Sequence, residues 1–165
     1  MESSSKGASA ETYVVLQPED GDSYWQPLPA NGYTTSKLTA RNWAGAVSCG
    51  IQVVAPQSFV RSHSHDRHHE IICVWSGVGI AVVAGKEHAM QPGTVIGLPP
   101  YTEHTFINDA ATELKFFWLI EPHGLEDFFK AIGRPKISAQ APVPFPRPDD
   151  VLAIEARTCF NVRQG

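Results

Sequence analysis

Between residues 12 and 121 the chain is a succession of short apolar runs, mostly about 5–8 residues long and closed by a turn signal. The runs are "TYVVLQ" (12–17), "YTTSKLT", "AGAVSCGIQVV", "SFVRSH", "EIICVWS", "IAVVA", "VIGLP", "HTFIN" and "ELKFFWLI". Asn31-Gly32, "GVG", "GKE", "MQPGT" and "DAAT" mark the turns. The intervals leave no room for the crossover helices of a parallel α/β sheet. This pattern predicts an all-β protein of sandwich or barrel type.

At 165 residues the chain suits one domain with a sizeable core, and 42% hydrophobic with 18% charged residues is an ordinary globular balance. A net charge of −4 without a Lys/Arg run offers no footprint for nucleic acid. No stretch is apolar for long enough to span a membrane. The opening "MESSSKGASAE" lacks the apolar segment of a secretory signal, and residues 1–11 read as a disordered tail. Cys49, Cys73 and Cys159 are an odd set without a CxxC pair. They predict no disulfide framework and no Cys-type zinc site, and point to a reducing, cytoplasmic compartment.

The pattern changes after Glu121. In "GLEDFFKAIG" (124–133), Leu125, Phe128, Phe129 and Ile132 recur at helical spacing and Gly133 is a stop signal. "KISAQAPVPFPRPDD" is Pro-rich and expected to be extended along the body. "DDVLAIEART" (149–158) opens with two Asp, which suit a helix N-terminus. The expected organisation is a tail (1–11), a β unit (12–122) and a helical, Pro-rich extension (123–165) packed on it.

Chemistry concentrates in "HSHDRHHEII" (63–72). His63 and His65 are two apart, and side chains two apart on a strand share a face. His68, His69 and Glu70 follow, and His104 lies in "PPYTEHTFIN". Imidazoles with a carboxylate form a ligand set for one divalent transition metal: Fe, Mn, Ni, Cu or Zn. An open position on such a set is the layout of a catalytic site. His68 and His69 are expected to face solvent or to orient a ligand imidazole. His88, after a hairpin turn, reads as a surface residue, and His123 as a loop or capping residue.

The spacings add specificity. His63-x-His65, four residues, Glu70, six residues, Gly77 resembles the first motif of the cupin superfamily. Gly93, five residues, Pro99, then His104 and Asn108, resembles the second, with the short inter-motif gap of single-domain members. Two turn or bulge positions that are Gly in the family are Gln57 and Tyr101 here. The C-terminal "HGLEDFFKAIGRPK" and "PFPRPDDVLAIEA" are similar to quercetin 2,3-dioxygenase-like cupins. The resemblance implies a jelly-roll β-barrel of two antiparallel sheets with the C-terminal helices packed outside. It also implies one metal held by His63, His65, Glu70 and His104.

Strand parity extends the site. If His63 faces inward, so do Arg61 and Phe59; Glu70 shares its face with Ile72 and Val74, and His104 with Phe106. Leu114, Phe116, Trp118 and Ile120 form one face of the late strand and Phe117 and Leu119 the other, and parity does not say which looks inward. Phe59, Arg61, Ile72, Val74, Phe106 and Trp118 are therefore candidate substrate contacts. Arg61 has an acidic substrate group or a protein carboxylate such as Glu103 as partner. Trp25 serves to cover the mouth or to fill the core.

A largely apolar pocket of this kind fits a flat, enolisable aromatic or polyketide-like molecule with one oxygen for the metal. The resemblance implies a dioxygenase of quercetinase type, with Glu70 as base and iron among the candidate metals. The alternative is an oxygen-independent isomerase, cyclase, decarboxylase or dehydratase of secondary metabolism using the same ligands. A binding module with a structural metal is the third reading. Exposed sheet edges favour pairing with a second chain, so a homodimer is expected.

Overall fold

A computed structural model describes residues 13–161. The elements are β1 (Asp22–Trp25), β2 (Tyr33–Leu38), β3 (Ser48–Val54), β4 (Ser58–His63), β5 (His69–Ser76), β6 (Gly79–Val83) and β7 (Lys86–Met90). They continue with β8 (Val95–Leu98), β9 (His104–Asn108), β10 (Leu114–Glu121), α1 (Leu125–Ile132), β11 (Arg134–Pro135) and α2 (Val151–Ala156). One antiparallel sheet runs β11-β1-β2-β3-β10-β5-β8 and the other β4-β9-β6-β7. This is the jelly-roll arrangement. The strand ladders do not continue from one sheet into the other, so the expected closed barrel is corrected to two facing sheets. No helix among the described residues is long and apolar enough to cross a membrane.

Alternation builds the core. On β10, Leu114, Phe116, Trp118 and Ile120 are fully buried, while Lys115, Phe117 and Leu119 are half-buried on the other face. The larger inward set is the one that looks toward the small sheet. β5 contributes Glu70, Ile72 and Val74 to the same interior, in register with Ile120, Trp118 and Phe116. Asn108, at the end of β9, is structural: its Nδ2 donates to the carbonyls of Val54, Ala55 and Thr112 at 2.8–3.0 Å.

Three departures from the sequence reading have physical causes. Residues 13–17 form no strand, and Tyr13 and Val15 stay largely exposed; apolar content alone does not make a strand without a paired edge. Residue 12 and the tail at 1–11 lie outside the described residues. β1 and β7 are strands the apolar pattern did not show, because "DSYW" and "KEHAM" are mostly polar segments held by hairpin pairing with β2 and β6. The extension also supplies β11, which pairs with β1 at the edge of the large sheet.

The turn positions explain the motif. Gly77 (φ 81°) and Gly93 (φ 94°) are left-handed, where a side chain is strained. Gln57 (φ 55°) and Tyr101 (φ 63°) adopt the same region without being glycine. Gln57 offsets the cost by donating from its amide to the carbonyls of Asp109 and Ala110. Tyr101 donates its backbone N–H to the His65 carbonyl at 2.7 Å, which ties the second motif to the first.

Helix α1 follows the predicted periodicity. Leu125, Phe128, Phe129 and Ile132 are buried, and the helix packs from outside onto the open end of the two sheets. Buried Glu126 fixes its start, accepting from Gly124 N at 2.9 Å and Ala40 N at 3.3 Å. α2 is shorter than "DDVLAIEART" suggested, and residues 141–148 before it form neither helix nor paired strand.

Candidate metal centre and cavity

The four motif residues meet. His63, His65, Glu70 and His104 each offer a ligand atom, and these atoms lie within 4.8 Å of one another. They come from the end of β4, the loop after it, the start of β5 and the start of β9. His63 and His104 face each other across the β4–β9 ladder, with ring centroids 4.1 Å apart. His65 lies beyond the strand and is held by an isolated bridge to Phe160.

Each imidazole is oriented by its other nitrogen. Nδ1 of His63 donates to the Arg61 carbonyl at 2.9 Å, that of His65 to Cys159 O at 3.0 Å and that of His104 to Thr102 O at 2.8 Å. These bonds place the proton on Nδ1 and leave each Nε2 as a lone-pair donor. Nε2 of His65 and His104 lie 3.3 and 3.1 Å from Glu70 Oε2. All three atoms are buried and without hydrogen-bond partners. Lone pairs gathered this closely repel one another unless a proton or a cation lies between them. The donor set therefore fits a divalent metal.

Electrostatics point the same way. Burial would raise the Glu70 carboxyl, but the imidazoles of His104 and His65 outweigh it and hold it well below the usual carboxylate range. Burial, then the neighbouring His104 and His65, push the His63 imidazole well below its ordinary value, which keeps it neutral and ready to ligate. His65 is shifted the other way: burial would lower it, but the adjoining Glu70 carboxylate prevails and raises it, the proton occupying the place a cation would take.

His63 and Glu70 also line a cavity of about 60 Å³. Of the six predicted substrate contacts, Arg61 and Phe106 are on its wall. Ile72, Val74 and Trp118 point inward but lie deeper, in the packed core. Phe59 is a correction: it is 45% exposed. A bulge in β4 sets the four residues Val60 to His63 against the three residues Phe106 to His104 of β9, so parity slips and Val60 takes the wall position. Trp25 is half-buried edge-on to Tyr33, and the cavity is bordered instead by the loop that follows it, Gln26 to Ala30.

The rest of the wall comes from the extension. Leu125, Phe128, Phe129 and Ile132 of α1, Arg147 and Phe160 all face the cavity. Phe160 packs tilted against Phe128, with ring centroids 4.3 Å apart, and lies against His63 and His65. Arg61 and Arg147 both place Nη2 on Glu155 Oε1, so Glu155 is a carboxylate partner of Arg61, and Glu103 accepts from Ser62 Oγ at 2.8 Å. Burial lowers Arg61, and burial together with neighbouring Arg61 brings Arg147 down to about 10. His68 is buried, with Nδ1 2.7 Å from Asp66 Oδ1, whereas His69, His88 and His123 are exposed.

Fold and site together define a jelly roll of two facing sheets with a candidate metal-ligand cluster inside. Residues 50–120 match the family model for the cupin domain. The fold is similar to that of a predicted oxalate decarboxylase from Thermotoga maritima (19% identity, TM-score 0.60, covering 66% of this chain and 99% of that one). It is also similar to KdgF from Halomonas sp. (17%, TM-score 0.58, 68% and 96%). A third similar structure is a sugar phosphate isomerase of the cupin superfamily from Silicibacter pomeroyi (18%, TM-score 0.57, 66% and 75%). No curated protein matches the chain.

Proposed function

We propose that the chain is a metal-dependent enzyme acting on a small enolisable molecule, with Glu70 as its base. The observation that carries this reading is the joint position of His63 and Glu70, which belong to the ligand cluster and also face the cavity. A structural metal would be sealed by its ligands; here the cluster borders free space. A bound divalent cation would supply Lewis acidity that lowers the pKa of an enol or phenol. His63, His65 and His104 orient the site through their carbonyl bonds. Glu70 receives the substrate proton at its carboxylate. The apolar wall from Phe106, Phe128 and Phe160 excludes water.

Two chemistries share this machinery. Dioxygenation of quercetinase type is supported by the motif and C-terminal resemblances. Oxygen-independent isomerisation, cyclisation, decarboxylation or dehydration of a small substrate needs the same four ligands. About 60 Å³ holds only a few waters, whereas drug-sized ligands occupy roughly 300 Å³ or more. A three-ring flavonol therefore requires the wall of Phe128 and Phe160 to move. The same reading includes iron among the candidate metals and a homodimer, supported by exposed Ile71, Trp75 and Val95 on the outer face of the large sheet. The free cysteines support a reducing cytoplasm. The test is elemental analysis of the purified protein, then turnover of small enolisable acids and phenols with an oxygen electrode and again under argon. One metal per chain with chelator-sensitive turnover supports the enzyme; oxygen uptake selects the first chemistry and persistence under argon the second. Turnover unhindered by exhaustive chelation would refute the reading.

A further inference from the structure

We infer that the cavity takes its ligand by a carboxylate, held between the guanidiniums of Arg61 and Arg147, with the remainder of the ligand toward His63 and Glu70. The inference rests on the cavity being the substrate site. Arg61 stands on β4 two residues before His63, and Arg147 on the segment before α2; both line the cavity that His63 and Glu70 line. The two Nη2 groups converge on a single oxygen, Oε1 of buried Glu155. Two cations on one carboxylate give the triad of Arg61, Arg147 and Glu155 a net charge of +1. Among the described residues Glu155 is the carboxylate both meet, and a cation held by His63, His65, Glu70 and His104 would match the charge of Glu70.

An uncompensated charge in a partly buried, apolar surround is costly, and a bound anion removes the cost. The side chains of Arg61 and Arg147 are 33% and 20% exposed, so donors remain open to a ligand. Guanidinium pairs match the planar fork of a carboxylate. A single surplus charge suits a monoanion better than a phosphate dianion, and Leu125, Phe128 and Phe160 beside it suit a hydrocarbon body. The ligand class is a small carboxylic acid with an apolar or unsaturated chain.

The experiment is calorimetric titration of crotonate, crotonamide and inorganic phosphate into the metal-loaded and the chelated protein. Crotonate binds about tenfold or more tightly than crotonamide, and more tightly than phosphate. Arg147→Gln abolishes that preference. Glu155→Gln, which frees a guanidinium, strengthens crotonate binding, a sign that loss of packing would not produce. Should Arg147→Gln fail to fold, the wild-type comparison and Glu155→Gln decide. Equal binding of acid and amide overturns the inference, as does tighter binding of phosphate. A preference that vanishes on chelation and ignores Arg147→Gln puts the carboxylate on the metal, refuting the inference and leaving the enzyme intact. A preference that survives chelation and depends on Arg147, in a protein that carries no metal, supports the inference and refutes the enzyme reading.

Discussion

The metal cluster and the wall that closes over it are built by different means. The cluster comes from short segments of the two sheets, and each ligand is aimed by a hydrogen bond to a carbonyl; for His63 and His104 that carbonyl is two residues away. The wall comes from the extension, through contacts across 94 residues such as His65 with Cys159 and Arg61 with Glu155. The first region sets the chemistry by local geometry. The second sets what reaches it, through packing and one ion-pair triad. The regions join where Cys159, Phe160 and Asn161 lie along the loop of Ser64 and His65.

Changes in the two regions should therefore separate. Glu70→Gln keeps most of the metal and lowers turnover by about 10²–10⁴-fold, the range for a lost general base, in a steady-state assay. Full activity in that variant would remove Glu70 from the mechanism. In the wall, Phe160→Ala costs about 3 kcal/mol in denaturant unfolding, since it deletes a buried ring packed on Phe128. It should also enlarge the range of accepted substrates while metal content falls little. Glu155→Ala strands Arg61 and Arg147 and costs about 2–3 kcal/mol, less than a fully buried pair because both guanidiniums touch solvent. Stability equal to wild type would mean that the triad does not hold the extension. The smallest effect is in the turn joining the motifs: Tyr101→Gly relieves a left-handed backbone and raises stability by less than about 1 kcal/mol, whereas Tyr101→Val lowers it.

What could be read from the sequence follows the same division. The period-two alternation of β5, β9 and β10 displayed Glu70, Ile72, His104, Phe106 and Trp118 on inner faces, because each strand is paired on both sides. Phe59 was misplaced because a bulge adds a residue that no periodicity shows. The regular helical spacing of Leu125, Phe128, Phe129 and Ile132 disclosed α1 and its buried face, but not that this face would meet the cavity. Arg147, Glu155 and Phe160 carried no local signal; their positions depend on how the extension runs over the sheets. The cation in "PFPRPDD", followed eight residues later by the carboxylate in "DDVLAIEART", was the available hint for Arg147 and Glu155.

The central claim is that one cation joins the two motifs. Elemental analysis of wild type and His104→Ala, purified side by side, tests it most directly. The account expects about one equivalent of a divalent transition metal per wild-type chain and nearly none in the variant. Equal metal content in the two proteins would contradict it.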